Sequence, residues 1–291
     1  MPFYKILLIF TLCLAGTCDA SGISIVDDEG HELRLKYPAE RVITMSPNLT
    51  EVVFYLGAGH KIVGADEYSS YLLGVKEIPR VNNHSAANFE LIVSLKPDLI
   101  IAWGSGNGKR TVGRLRDLGL PVFVVETKKI LQIPSLYLRL GTLLGETVAA
   151  TKMAETFSKE IVALDNQNKL GVTVFYEIWN DPLMTLSDQH LVSDVITFCG
   201  GINIFENLKG VASVVSIEAV IAADPEVIIT SGKPESFASW SSQWTHWSDM
   251  RAVRDQNLFM LAPELLQRQS PRFIKGIKSV CSLIQAARFS E

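Results

Sequence analysis

Basic clusters are missing from this chain of 291 residues. Its 27 Lys and Arg are outnumbered by 31 Asp and Glu, for a net charge of −4. A mildly acidic chain with no basic run offers no footprint for a phosphate backbone, so nucleic acid is not an expected partner. Apolar runs long enough to span a bilayer are also missing. Cysteine is scarce, four in all. Neither Cys199 nor Cys281 has a Cys or His at ligand spacing, which argues against a metal site. The sequence contains no His-Glu-x-x-His, no Gly-x-Ser-x-Gly and no phosphate loop. Gly104 to Gly108 is glycine-rich but lacks the Gly-Lys-Ser/Thr ending. Asp66, Glu67 and Asp181 are carboxylates with no nucleophile and base fixed beside them. No enzyme is expected.

The N-terminus is written differently from the rest. Lys5 precedes an apolar core from Ile6 to Leu14, and Cys18-Asp19-Ala20 supplies small residues before Ser21. This is the pattern of a secretory leader over residues 1–20, cut after Ala20. A lipoprotein cut would make Cys18 the first mature residue, and Thr17 before it disfavours that. Removing the leader takes one Lys and one Asp, so the net charge is unchanged, and it takes Cys13 and Cys18. Two cysteines remain in an oxidising compartment, and a Cys199–Cys281 disulfide is expected ahead of two buried thiols. Closing that loop of roughly eighty residues would add on the order of 4 kcal/mol in the chain-entropy model.

Two stretches 128 residues apart are nearly the same sentence. Phe89-Glu90-Leu91-Ile92-Val93-Ser94-Leu95-Lys96-Pro97-Asp98-Leu99-Ile100-Ile101-Ala102 aligns without a gap to Ile217-Glu218-Ala219-Val220-Ile221-Ala222-Ala223-Asp224-Pro225-Glu226-Val227-Ile228-Ile229-Thr230. Each copy reads as a short helix, a proline-marked break and a buried strand. An offset of that size exceeds any solenoid period and indicates a duplicated lobe. Between two such lobes lies a cleft, where small ligands bind. The pattern predicts an α/β fold of two similar lobes with mostly parallel sheets. A hairpin turning at Asp28-Glu29-Gly30 leads into the first lobe, residues 21–131. Residues 132–168 show helical stripes and no strand signal, with a break expected near Gly141 and Gly145; they are predicted to join the lobes as one long rigid helix. The second lobe is residues 169–291. Helices are expected over 51–56, 111–118, 190–198 and 271–287. Trp240, Trp244 and Trp247 are spaced close to a helical turn, which favours packing over ligand contact.

Arg41-Val42-Ile43-Thr44-Met45-Ser46-Pro47-Asn48-Leu49-Thr50-Glu51 resembles the opening of the helical-backbone periplasmic binding proteins of metal-chelate ABC importers. Leu95-Lys96-Pro97-Asp98, Cys199-Gly200-Gly201 and Val215-Ser216-Ile217-Glu218 are most similar to the cobalamin-binding branch, over about residues 40–287. The resemblance implies a periplasmic solute-binding protein that delivers cobalamin or a related corrinoid to a permease dimer. Haem or a siderophore is the alternative cargo, and an exported hydrolase using the cleft a lower alternative. No enzyme cofactor is implied, and a monomer is expected. By the resemblance Glu90 and Glu218 dock the two lobe tips on permease arginines, where exposed carboxylates orient guanidinium groups; helix-dipole glutamates are the plainer reading. Tyr68 and Trp103 match cleft aromatics, and Trp103 ends a strand, where open α/β sheets hold ligands. Trp179 stands one place from another cleft aromatic, and Glu264 stands near a cleft acid. Where the branch has a tryptophan this chain has His84, a loop residue that neutral imidazole chemistry would also suit as an axial metal ligand.

Overall fold

A computed structural model of the chain describes residues 22–69, 77–83, 86–164 and 171–288. The leader over residues 1–20 and His84 lie outside the described residues. Strands β1 (Ile23–Val26) and β2 (Glu32–Leu35) form the leading antiparallel hairpin, turning at Gly30 with φ +83°. Asp27 accepts N–H bonds from Glu29 and His31 and pairs with Arg116 at 2.7 Å, tying the hairpin to the first lobe. Among the described residues, Asp27, Glu29 and His31 are the one group close enough to share an ion. Arg116 already pairs with both carboxylates.

The first sheet contains β3 (Val42–Thr44), β4 (Ile62–Asp66), β5 (Arg80–Asn82), β6 (Leu99–Trp103) and β7 (Val122–Val125) in the order β5-β4-β3-β6-β7, every pair parallel. β3, β6 and β7 are buried almost end to end, as strands covered on both faces must be. Helices α1 (Pro47–Tyr55), α2 (Phe89–Ser94) and α3 (Gly104–Asp117) connect them. α1 begins four residues before the sequence-based expectation, because Pro47 at the first helical position carries the fixed φ that a helix start needs. α3 also begins early, at Gly104, and takes in the glycine-rich stretch; a single positive φ at Gly108 interrupts it.

Two helices, α4 (Ile133–Leu144) and α5 (Thr147–Leu164), form the connector expected over residues 132–168, and they are separated at Gly145, one of the two glycines where a break is expected. Gly145 takes the left-handed conformation that closes a helix C-terminus, φ +75°. The two helices then pack closely enough that a Cβ on Gly141 would stand 2.2 Å from the Ala150 Cβ. α5 also packs on the last helix of the second lobe. One apolar core therefore runs from Leu49 and Leu140 through Phe157 and Ile161 to Phe273 and Ile277. The link between the lobes is packed, not tethered.

The second sheet is mixed. β8 (Val172–Asn180), β9 (Leu183–Leu186), β10 (Gly201–Asn203), β11 (Ala212–Val214), β12 (Val227–Ser231) and β13 (Leu258–Leu261) give the order β11-β9-β8-β12-β13, with β10 also beside β8. β8, β12 and β13 are parallel, whereas β9 and β11 add an antiparallel edge after a cis Asp181–Pro182 turn. That edge has no sequence signal, since Leu183-Met184-Thr185-Leu186 does not alternate. Around the sheet lie α6 (Leu191–Phe198), α7 (Ile217–Ala223), α8 (Phe237–Trp244), α9 (Arg251–Arg254), α10 (Pro263–Leu266) and α11 (Phe273–Ala287). A Cys199–Cys281 disulfide joins the end of α6 to α11.

The sequence repeat is also a backbone repeat. Lys96 and Asp224, at matched places, both have φ near +45° (47° and 41°) just before their prolines. The acid after each proline holds the neighbouring strand: Asp98 accepts from the Arg41 N–H at 2.8 Å, and Glu226 from the Thr173 N–H at 2.6 Å. These acids fix strand entry in each lobe. Glu90 and Glu218 instead stand exposed in first helical turns capped by Asn88 and Ser216.

Trp240 and Trp244 are buried and Trp247 is partly exposed. Both buried indoles donate to one oxygen of Glu177, at 2.9 and 3.0 Å. Burial pushes this carboxyl above the usual range, and the two indole bonds only partly oppose it. The folded protein therefore holds that proton to higher pH than the unfolded chain. The stability this contributes is complete below the ordinary glutamate pKa and falls as pH rises through the folded-state value. Glu177→Gln keeps an oxygen for the indoles, so melting curves across pH 4 to 8 should lose that downward slope. An unchanged slope would mean another group sets it.

Candidate functional site

The carboxyl ends of both sheets meet at a cleft of about 470 Å³. This lies within the ~300–1,000 Å³ span of small-molecule sites. From the first lobe come Pro47 and Asn48 after β3, Tyr68 after β4 and Trp103 at the end of β6. Facing them are Tyr176 and Ile178 on β8, Leu186 at the end of β9, and His190 to Val192 at the start of α6. Leu266 at the end of α10 and residues 267–269, which lead towards α11, complete the lining.

Trp103 is held by the glycine-rich segment beside it. Its backbone N–H donates to Asn107 Oδ1 at 2.7 Å, and Asn107 Nδ2 donates to the Met45 carbonyl at 2.9 Å. The ring lies against Gly106 so closely that a Cβ there would stand 1.9 Å from a ring atom. The glycines seat an aromatic ring where a nucleotide loop would cradle phosphate. Tyr68 is half exposed. Its N–H donates to Asp66 at 2.7 Å, and Ser69 Oγ donates to the other oxygen of that carboxylate at 2.6 Å. Burial raises the Asp66 pKa, against those two hydrogen bonds and the charges of Arg80 and Arg268.

Beside the cleft, Glu51 of α1 is fully buried and reaches into the second lobe. Arg272 grips it with two bonds of 2.8 and 2.7 Å, Ser270 Oγ donates at 2.5 Å, and Arg268 approaches to 3.4 Å. Asn48 donates to the Gln269 side chain at 2.5 Å, and Tyr137 Oη to the Gln269 carbonyl at 2.8 Å. The segment that lines the cleft is thus fastened to α1 and α4 by a bidentate ion pair and four further hydrogen bonds. Burial drives the pKa of Tyr137 well above its usual value, so its hydroxyl remains a donor.

His190 caps α6, its Nδ1 accepting the Val192 N–H at 3.1 Å. Burial pushes its pKa down to about 4, which leaves the ring neutral at physiological pH.

The periplasmic binding protein family model matches residues 42–265. The chain belongs to that family. A vitamin B12-binding protein of Vibrio cholerae serotype O1 is 34% identical over 255 residues, covering 87% of this chain and 91% of that protein. One from Pectobacterium carotovorum is 30% identical over 251 residues, covering 85% and 89%. The crystal structure of the periplasmic vitamin B12-binding protein of Vibrio cholerae superposes with a TM-score of 0.78 at 34% identity, covering 86% of this chain and 98% of that one. A periplasmic haem-binding protein from Roseiflexus sp. RS-1, at 22% identity and a TM-score of 0.73 over 86% and 99% of the two chains, shares the fold.

Of the residues singled out from sequence, the structure brings Tyr68 and Trp103 together in the cleft of this periplasmic binding protein. Trp179 is not among the lining residues. It is 60% exposed, and its indole N–H bonds to the Asp181 carbonyl at 2.8 Å. Glu264 sits in the first turn of α10, next to the lining segment but outside it. His84 lies outside the described residues. Sequence reasoning missed Tyr176, His190, Arg268 and Gln269. Tyr176 was hidden in an apolar strand, where a tyrosine reads as core. Arg268 and Arg272, two cations between two apolar helices, were the visible signal for the fastened segment.

Gly106→Ala favours the helix in itself, yet its methyl group must displace the Trp103 ring. Near-ultraviolet circular dichroism should change as it does in Trp103→Phe, with far-ultraviolet signal retained. A wild-type near-ultraviolet spectrum in Gly106→Ala would show that the ring is not seated on this glycine.

Proposed function

We propose that this protein captures cobalamin or a related corrinoid in the periplasm and hands it to the permease of an ABC importer. The observation that carries the reading is the cleft. Tyr68 and Trp103 line it from the first lobe and Tyr176 of β8 from the second, the aromatic surfaces that a broad, largely apolar disc with polar side groups requires. Similarity to vitamin B12-binding proteins over most of the chain supports the same cargo. The leader over residues 1–20, cut after Ala20, would deliver the chain to that compartment. No catalytic step is assigned to the cleft.

Binding by such a cleft relies on pre-organisation. The lobes share one core and are fastened beside the site, so little closure accompanies capture. Glu90 and Glu218, exposed at matched places of the two lobes, are the proposed contacts to permease arginines, one per lobe. Their helix caps, Asn88 on the Leu91 N–H and Ser216 on the Ala219 N–H, fix the two helix starts from which these exposed carboxylates project, and an exposed carboxylate suits bidentate recognition by a guanidinium group. The binding unit is proposed to be a monomer.

An optical titration of the purified mature protein with cyanocobalamin and, separately, haemin tests the cargo. Saturable cyanocobalamin binding is expected, surviving His84→Ala and weakened at least tenfold by Trp103→Ala. Haemin binding alone would keep the fold and move the cargo. Binding of neither would overturn the corrinoid reading.

A further inference from the structure

The cleft contains a histidine whose hydrogen-bonding capacity is half used. Asn48 is bonded to Gln269, and Arg268 approaches Glu51. His190 differs. Its Nδ1 is turned to the start of α6, where it accepts the Val192 N–H. In a five-membered ring held by Nδ1, Nε2 points away from the helix, and His190 lines the cleft. Nε2 has no hydrogen bond among the described residues.

The bond at Nδ1 also decides where the proton is. A nitrogen that accepts an N–H cannot carry a hydrogen of its own, so the neutral ring is the Nε2–H tautomer. An Nε2–H is a donor. To present a lone pair to a metal, the ring would have to move its proton to Nδ1, against the Val192 N–H, and release the helix cap.

Resting on the corrinoid reading above, we propose that His190 is a specificity-determining residue that donates from Nε2 to a carbonyl oxygen on the rim of the bound macrocycle and does not ligate its metal. The chemical class it selects is a disc whose edge carries amide or carboxylate acceptors. A disc with a purely hydrocarbon edge would leave the Nε2–H desolvated and unpaired, which is unfavourable. The ring stays neutral in the folded protein, so it discriminates by hydrogen bonding without adding charge to the site.

The test uses the purified mature protein, cyanocobalamin for affinity and aquacobalamin for metal ligation, because the water on its cobalt is exchangeable. His190→Ala removes the donor and the cap together. His190→Asn keeps a good helix cap but is too short to reach the rim, and melting curves confirm that it folds. Both variants should bind cyanocobalamin about tenfold more weakly, the effect of one well-made hydrogen bond. The visible bands of aquacobalamin should stand at the same wavelengths whether it is bound to wild type or to His190→Asn. An affinity within twofold of wild type in His190→Asn would overturn the contact. A band shift on binding to wild type that is lost in His190→Asn would overturn the donor role in favour of ligation. A wild-type protein that binds no corrinoid overturns the functional reading itself, and this inference with it; that outcome is visible in the wild-type arm alone.

Discussion

A buried carboxylate from one lobe, neutralised by guanidinium groups from the other, determines how this molecule is held. Glu51 comes from α1 and has no exposure to water, and its charge is met by Arg272 and Arg268 near the start of α11. A buried charge cannot be left without its partner, because stripping one side of such a pair typically costs about 3–5 kcal/mol. Pulling the lobes apart would do that. The same contact fixes residues 266–269, which form part of the cleft lining, so lobe spacing and cleft shape are set by one interaction. Apolar packing through Tyr137 and Phe157, whose rings meet edge to face at 6.1 Å, adds a second restraint.

Duplication explains the arrangement of the rest. In each lobe a short capped helix leads through a left-handed residue and a proline into a central strand. The acid after that proline serves the backbone in both copies, whereas the glutamate at the helix start is exposed in both. One motif thus contains a structural acid, already bonded, and an acid left on the surface. In the first lobe the strand runs on to Trp103, whose place is fixed by Asn107 and by the absence of a side chain at Gly106. The second lobe answers with Tyr176 from β8 and the imidazole of His190.

Much of this was legible in the residues, and unevenly so. The repeat gave two lobes and parallel central strands, because a buried parallel strand must be apolar on both faces. It also marked Glu90 and Glu218 as equivalent. Trp103 could be placed because a strand end is a position in space as well as in sequence. Other parts depend on pairings the chain does not encode locally. The antiparallel edge of β9 and β11 is short and without alternation. The two glycines of the connector announce a break, but not that a left-handed Gly145 turns the chain so that the second helix packs back on the first. Trp179 shows the limit of aromatic identity as a guide: its indole is satisfied by the Asp181 carbonyl two residues on, and its ring faces solvent. Glu51 looked like an ordinary first-turn glutamate, and only the fold brings Arg268 and Arg272, more than two hundred residues away in sequence, to its side.

The central claim is that the cleft is preformed and kept so by the Glu51 contact. The most direct measurement is the distance between nitroxide labels on the two tips, in Glu90→Cys/Glu218→Cys protein, by pulsed electron spin resonance with and without cyanocobalamin. The account predicts a single narrow distance that the ligand leaves in place, and a broadened distribution when Glu51→Gln is added. Tips that close by many ångströms on binding, or a Glu51→Gln distribution as narrow as the parent's, would contradict it.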